Sequence, residues 1–224
     1  MSNVRVIEIH EDVFKINNDE ADKLREKLKS NKTFMLNVMS SPGSGKTTLL
    51  SALINRLKTD MRIAVMDVDI ESSLDADKVA DSTGVRALQI HNGGLCHIDA
   101  DMTSRAVEEF GIKDTDFIFL ENIGNLVCPA EFDTGAHKNM MILSVPEGDD
   151  KPLKYPLMFS ICDLVVISKI DTKDFFDFDS ERAVQNIRDL NPNAVIIEVS
   201  AKTGEGMDEL SDWIMAQYED FLCS

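Results

Sequence analysis

The residues with the most chemical content are Ser40-Ser41-Pro42-Gly43-Ser44-Gly45-Lys46-Thr47-Thr48. They follow an apolar run and precede a helical pattern, which is the context a phosphate-binding loop requires. Gly43 and Gly45 permit backbone conformations and a close approach that a side chain would obstruct. Successive N–H groups around Ser44, Thr47 and Thr48 can then point at phosphate oxygens, at the positive end of the following helix. Lys46 supplies a point charge to the β- and γ-phosphates, and the Thr47 hydroxyl is placed to ligate Mg²⁺. One departure stands out: the first glycine of the general motif falls at position 40, where this chain has Ser40.

Two later segments address the base. Ser168-Lys169-Ile170-Asp171 and Ser200-Ala201-Lys202 each follow an apolar run. Guanine offers two adjacent donors, the ring N1–H and the exocyclic amine, and one carboxylate at Asp171 accepts both. Adenine presents an acceptor at N1 and leaves that carboxylate poorly paired. The Lys169 stem can cover the base, and the Ala201 N–H can reach the guanine O6. With the phosphate loop in the same chain order, these segments favour GTP or GDP over an adenine nucleotide. Ser168 stands where many GTPases have Asn.

Glu121-Asn122-Ile123-Gly124 ends another apolar run. Glu121 is placed to hold Mg²⁺ directly or through water, and the Gly124 N–H to sense the γ-phosphate. Lys46, Thr47, Glu121 and Gly124 are thus the expected catalytic set. Asp69 and Asp75 fall after the second expected strand, where either could supply a further hard oxygen for Mg²⁺. No glutamine follows Gly124; Asn125 stands there, so intrinsic hydrolysis is expected to be slow unless a dimer or partner completes the site.

Cys96-His97 and Cys128 offer different chemistry. Thiolate and imidazole suit Zn²⁺, Ni²⁺ or copper, not Mg²⁺. Cys128 lies four residues beyond Gly124, inside the segment expected to respond to the γ-phosphate. Three ligands leave a tetrahedral site incomplete, which invites water or sharing across a two-fold dimer. Cys162 reads as core and Cys223 as a frayed end.

The elements that must position these residues are legible as alternating patterns. Strands are expected at 34–40, 62–69, 86–92, 117–121, 140–145, 164–168 and 194–200. Helices are expected at 17–29, capped by Asn17 or Asn18, and at 47–57, 99–110, 180–190 and 207–221. Short β-branched strands separated by helices predict an α/β fold, a mostly parallel sheet with helices on both faces. Residues 1–31 read as an N-terminal extension and 32–224 as one nucleotide-binding domain. The chain has 224 residues, 43% of them hydrophobic, ample for a core of this kind. Lys and Arg number 23 against 40 Asp and Glu, a formal charge of -17. That balance argues against nucleic acid or an anionic membrane as the main partner. Neither a secretory leader nor an apolar run near the roughly 18 residues of a membrane span is visible, so a cytoplasmic protein is expected.

Together the stretches SSPGSGKTTLL (40–50), GGLCHIDADM (93–102), ENIGNLVCPAEFD (121–133), VPEGDDKPLKYP (145–156) and SAKTGEGMDEL (200–210) resemble the HypB-like nickel-insertion GTPases of nickel–iron hydrogenase maturation. The resemblance implies a P-loop G domain that forms a homodimer with GTP and works as a GTP-hydrolysing nickel metallochaperone. Its partner would be another maturation protein or the hydrogenase large subunit. It also implies that Cys96, His97 and Cys128 form an interfacial nickel or zinc site, and that Lys154 reaches the partner's nucleotide. Some members carry an N-terminal Cys-rich motif or His-rich tract; before Lys32 this chain has only His10. Metal handling is therefore expected to rest on the Cys96/His97/Cys128 site. The alternatives are a related metallochaperone for urease or cobalamin enzymes, or a P-loop small-molecule kinase.

Overall fold

The computed structural model describes residues 9–69 and 74–224; the side chains of residues 9–12, 74 and 75 lie outside that description. Seven apolar runs form strands β1 (Phe34–Ser40), β2 (Ile63–Asp69), β3 (Arg86–His91), β4 (Phe117–Gly124), β5 (Lys138–Ser144), β6 (Leu164–Ser168) and β7 (Val195–Glu198). They make one sheet in the order β3-β2-β4-β1-β5-β6-β7. Every pairing is parallel. The sheet is therefore wholly, not mostly, parallel. Every residue of β1 is buried. A strand covered on both faces has no reason to alternate, which is why FMLNVMS reads as a continuous apolar run.

Among the described residues eight α-helices flank the sheet: α1 (Ile9–Ser30), α2 (Lys46–Leu57), α3 (Leu74–Thr83), α4 (Ala100–Phe110), α5 (Lys151–Lys154), α6 (Pro156–Ser160), α7 (Ser180–Leu190) and α8 (Met207–Cys223). On one face Leu49, Leu50, Leu53 and Ile54 of α2 and Leu210 and Ile214 of α8 pack on Leu36, Val38, Phe117 and Phe119. On the other, Leu24 and Leu28 of α1 and Val107 of α4 pack on Met35, Met66, Ile118 and Leu120. Met158 and Phe159 of α6 and Ile187 of α7 extend that layer over Met39, Leu143 and Val165.

Parallel strands joined by crossovers end on one edge of the sheet. Residues 40, 69, 91, 124, 144, 168 and 198 therefore all feed loops on that edge, where ligands of open α/β sheets bind. The β1–β4 register slips between Val38 and Ser40, so that Ser40 comes to lie beside Gly124.

Five helices differ from expectation. The first helix runs Ile9–Ser30, so Asn17 is an interior residue, not a cap. Its amide is used in tertiary hydrogen bonds, described below, and nothing local reveals that. Helix α3 was not expected from the sequence; among its described side chains only Ala76 and Val79 are buried apolar residues, too few to show a period. The short α5 and α6 were also unforeseen. Asp99 proves to be the cap of α4, its carboxylate accepting from Met102 N, rather than its first residue.

At the opposite edge, His137 accepts a hydrogen bond from Met35 N at 3.0 Å and lies between the Phe34 and Phe221 rings. Burial, with Arg25 nearby, pushes its pKa down to about 4 from 6.5. A histidine held neutral is protonated first in the unfolded chain, so its contribution is present above about pH 6.5 and lost as pH falls toward about 4. Replacing His137 by Gln keeps an acceptor and removes the titration. In urea unfolding, the wild type is expected to lose about 2 kcal/mol more than H137Q between pH 7 and pH 5.

Candidate functional site

The phosphate loop leaves β1 at Ser40 and enters α2 at Lys46. Gly43 (φ 75) and Gly45 (φ 91) are both left-handed. Gly45 is the N-cap of α2, and no side chain caps that end; no acid sits in the first turn. The open N–H groups and the helix dipole therefore face the loop, the arrangement that binds phosphate without a basic surface. Ser44 is buried, and its hydroxyl has no hydrogen-bond partner among the described residues. Ser40, in place of the general motif's first glycine, is the last residue of a strand; its φ is not positive, so glycine's freedom is not needed there.

Opposite the loop stands the end of β4. Lys46 Nζ donates to Asn122 O at 2.5 Å and lies 3.7 Å from Glu121 Oε1. Thr47 Oγ1 donates to the same carboxylate oxygen at 3.1 Å. Gly124 is pressed against Pro42, where an added Cβ would lie 3.2 Å from Pro42 Cα, N and Cγ. A cavity of about 960 Å³ opens between these elements, lined by Lys46, Thr47, Thr48, Asp67, Asp69, Glu121 and Gly124, with Lys78 and Asp81 of α3 beyond. Of the expected Mg²⁺ residues, Thr47, Asp69 and Glu121 thus share one cavity. The Asp75 side chain lies outside the described residues. Asp67, 3% exposed, was missed. It sits two residues before Asp69 and so points to the same strand face, a spacing that could have found it.

The two segments expected to read guanine meet beside the loop. Lys169 takes a left-handed backbone, φ 60, and Nζ donates to Gly43 O at 2.8 Å. Its stem crosses Gly45, where an added Cβ would lie 3.1 Å from Lys169 Cε. Ser168 Oγ donates to Ser44 O at 3.4 Å, so the residue in place of Asn still ties this strand to the phosphate loop. Asp171 Oδ1 accepts from Ser200 Oγ at 2.7 Å, with Lys202 Nζ 4.0 Å from Oδ2. Ser200 Oγ also accepts from Thr203 N, which curls Ala201 and Lys202 around the carboxylate. The turn closes at Gly206, whose φ is 70 and where an added Cβ would fall 1.9 Å from Glu198 O.

Farther along the same edge the structure brings Cys96 and Cys128 together, with Sγ atoms 2.7 Å apart and both thiols free. Cys96 is exposed and Cys128 half-buried. The neighbouring Cys128 sulfur, then desolvation, pushes the Cys96 thiol above its ordinary range. His97 Nδ1 lies 3.8 Å from Cys96 Sγ, and its ring stacks on Phe132, 3.8 Å between centroids and 8° from parallel. Two sulfurs are paired, but among the described residues no group of three or more His, Cys, Asp or Glu side chains is disposed to hold a metal ion. Thiolate sulfurs are soft donors, suited to a soft or borderline cation. Cys162 is buried in the core, in keeping with its sequence reading, whereas Cys223, read as a frayed end, is the exposed last residue of α8.

Asparagines hold these loops. Asn92 Nδ2 donates to Leu95 O and His97 O, both at 2.8 Å. Asn125 Nδ2 donates to Cys96 O at 3.3 Å while its Oδ1 accepts from Val127 N. The residue after Gly124 thus tethers the Cys96 loop. No sequence signal marked that role, because an asparagine in a loop has many partners available to it.

A parallel sheet whose first strand runs through a glycine-rich loop into a helix headed by Lys46-Thr47, with a carboxylate from β4 across the cavity, defines a P-loop nucleotide-binding protein. The family described as CobW/HypB/UreG, nucleotide-binding domain, matches residues 34–198, and the chain belongs to it. It is 42% identical over 217 residues to hydrogenase maturation factor HypB of Escherichia coli K12, covering 97% of this chain and 74% of that protein. The hydrogenase/urease maturation factor HypB of Helicobacter hepaticus is 40% identical, with 95% and 88% covered. A crystal structure of HypB from Helicobacter pylori in complex with nickel superposes with a TM-score of 0.85 at 36% identity, covering 91% of this chain and 95% of that one. HypB from Archaeoglobus fulgidus gives 0.84 at 36% identity, with 91% and 99% covered.

The contact of Gly124 with Pro42 makes a direct prediction. A Gly124→Ala substitution pushes β4 away from the phosphate loop, an overpacking worth about 1–3 kcal/mol. Calorimetric titration is expected to show nucleotide affinity weakened about tenfold or more, with the far-UV circular dichroism unchanged.

Proposed function

We propose that this chain is a cytoplasmic GTPase that hydrolyses GTP to GDP and phosphate and works as a nickel metallochaperone in nickel–iron hydrogenase maturation. The observation that carries the reading is the continuity of one segment. Gly124 touches the phosphate loop, Asn125 holds the Cys96 loop, and Cys128 meets the Cys96 sulfur. A change at the phosphates therefore has a short mechanical route to the sulfur pair.

In this reading the open N–H groups around Gly43–Thr48 and the Lys46 ammonium hold the phosphates. Lys46 exchanges its bond to Asn122 O for phosphate oxygen, which frees the end of β4. Thr47 and Glu121, with Asp67 and Asp69 facing the same cavity, would hold Mg²⁺, which neutralises charge on the transferring phosphoryl group. Asp171, oriented by Ser200, accepts the two guanine donors, and the Lys169 stem lies toward the base. Asn125 is committed to the Cys96 loop and stands where a water-orienting glutamine would be, which supports slow hydrolysis in a single chain. Cys96 and Cys128, with His97, take nickel or zinc as cargo, and a second copy of the chain completes their site. Lys154, exposed but paired with Asp150, would exchange that partner to reach across such a dimer. Residues 1–31 act as the lead into the nucleotide domain of 32–224. Hydrolysis loosens the 124–128 segment, and the metal passes to a maturation partner or the hydrogenase large subunit. The Helicobacter hepaticus relative's name, hydrogenase/urease maturation factor, favours urease as a second client.

Two measurements test this reading. Ni²⁺ and Zn²⁺ are titrated into the full chain with a GTP analogue, with GDP and without nucleotide, while mass is followed by light scattering. Tighter nickel binding and dimeric mass with the analogue are expected, both lost in Cys128→Ser; identical nickel binding in all three conditions would sink the coupling. Separately, Asp171→Asn removes a charged acceptor, so GTP affinity is expected to fall about tenfold to hundredfold while weak ATP binding is unchanged.

A further inference from the structure

We propose that α1 is a positioning element for the Cys96/Cys128 site: Asn17 sets the spacing of its two loops, and the Phe14–Phe132 pair sets the orientation of the His97 ring. The inference rests on the metal reading above and extends it to a helix outside both motifs.

Asn17 is 8% exposed, and both polar atoms of its amide are bonded to backbone. Oδ1 accepts from Ala100 N at 2.9 Å, and Nδ2 donates to Asp133 O at 2.9 Å. Ala100 is three residues beyond His97, and Asp133 is five beyond Cys128. One planar amide therefore bridges the backbones that carry the two sulfurs. Beside it, the Phe14 ring lies 5.4 Å from Phe132, whose other neighbour is the His97 ring at 3.8 Å. A chain of three rings thus runs from α1 to a donor side chain. The helix itself is fixed against the same loop. Arg25 pairs with the Asp133 carboxylate and donates to Ala136 O, and Leu24 packs so closely on Gly135 that an added Cβ would lie 2.7 Å from Leu24 Cδ2.

No residue of α1 lines the nucleotide cavity, so α1 has no direct contact through which to change GDP affinity measured without metal. A positioning role is therefore expected to move nickel affinity while leaving metal-free GDP affinity in place, which a general loss of packing would not do. Residues that orient metal ligands without touching the metal commonly change affinity about 10–100-fold when replaced.

The test is a Ni²⁺ titration of the full chain, read by the thiolate-to-nickel charge-transfer absorption, with GDP affinity measured on the same samples. Asn17→Ala is expected to weaken nickel binding about tenfold or more and to alter the absorption, with GDP affinity within about twofold of wild type. Phe132→Leu keeps apolar bulk while removing the stack, and is expected to change the absorption even if Asn17→Ala does not fold. Cys128→Ser separates the two levels of inference. If it leaves nickel binding intact, the metal reading fails. If it abolishes binding while N17A and F132L match wild type in affinity and spectrum, the positioning role is overturned. Parallel loss of nickel and GDP affinity in N17A and F132L would mark them as structural and overturn it equally.

Discussion

The contact on which the rest depends is between the phosphate loop and the end of β4. Lys46 reaches Asn122 O, Thr47 reaches Glu121, and Gly124 lies on Pro42. All three require β4 to insert beside β1, and the parallel order β2-β4-β1 places it there. The register slip after Val38 then sets Ser40 opposite Gly124. A buried carboxylate at Glu121 is tolerable because a hydroxyl and an ammonium face it. Nucleotide chemistry and everything downstream of Gly124 are thereby joined at one point.

From that point outward, asparagine side chains do the joining. Asn125, Asn92 and Asn17 each bond to backbone rather than to another side chain. Such bonds fix where a loop runs without adding charge near the sulfurs. A planar amide offers a donor and an acceptor at set separation, so it can gauge the distance between two strands of backbone. Two loops 32 residues apart in sequence thus bring Cys96 and Cys128 into contact.

The acidity of the chain, -17 formally, fits this economy. In the proposed reading, phosphate recognition rests on N–H groups at the head of α2 and on the single ammonium of Lys46, so no basic surface is needed. Acids that do enter the cavity, Asp67, Asp69 and Glu121, suit a hard divalent cation more than a nucleic acid backbone.

By itself the sequence determined the α/β class and the glycine-rich loop between β1 and α2, and it named the residues expected to read guanine and to offer soft donors. These are local signals: apolar runs, glycines at left-handed positions, and short spacings that fold in place. What only the tertiary structure decided is distance. The two-residue spacing puts Asp67 on the same strand face as Asp69, but that both line the cavity with Glu121 was decided by β2 lying beside β4, and α3 carried too few buried side chains to announce itself. Asn17 read as a helix cap because capping is the local use of asparagine; its actual partners are 83 and 116 residues away. Likewise Cys96, His97 and Cys128 read as one donor set, yet the fold pairs the two sulfurs and stacks the imidazole on Phe132. Chain spacing limits which residues can meet, but packing of the helices on both sheet faces selects which of them do.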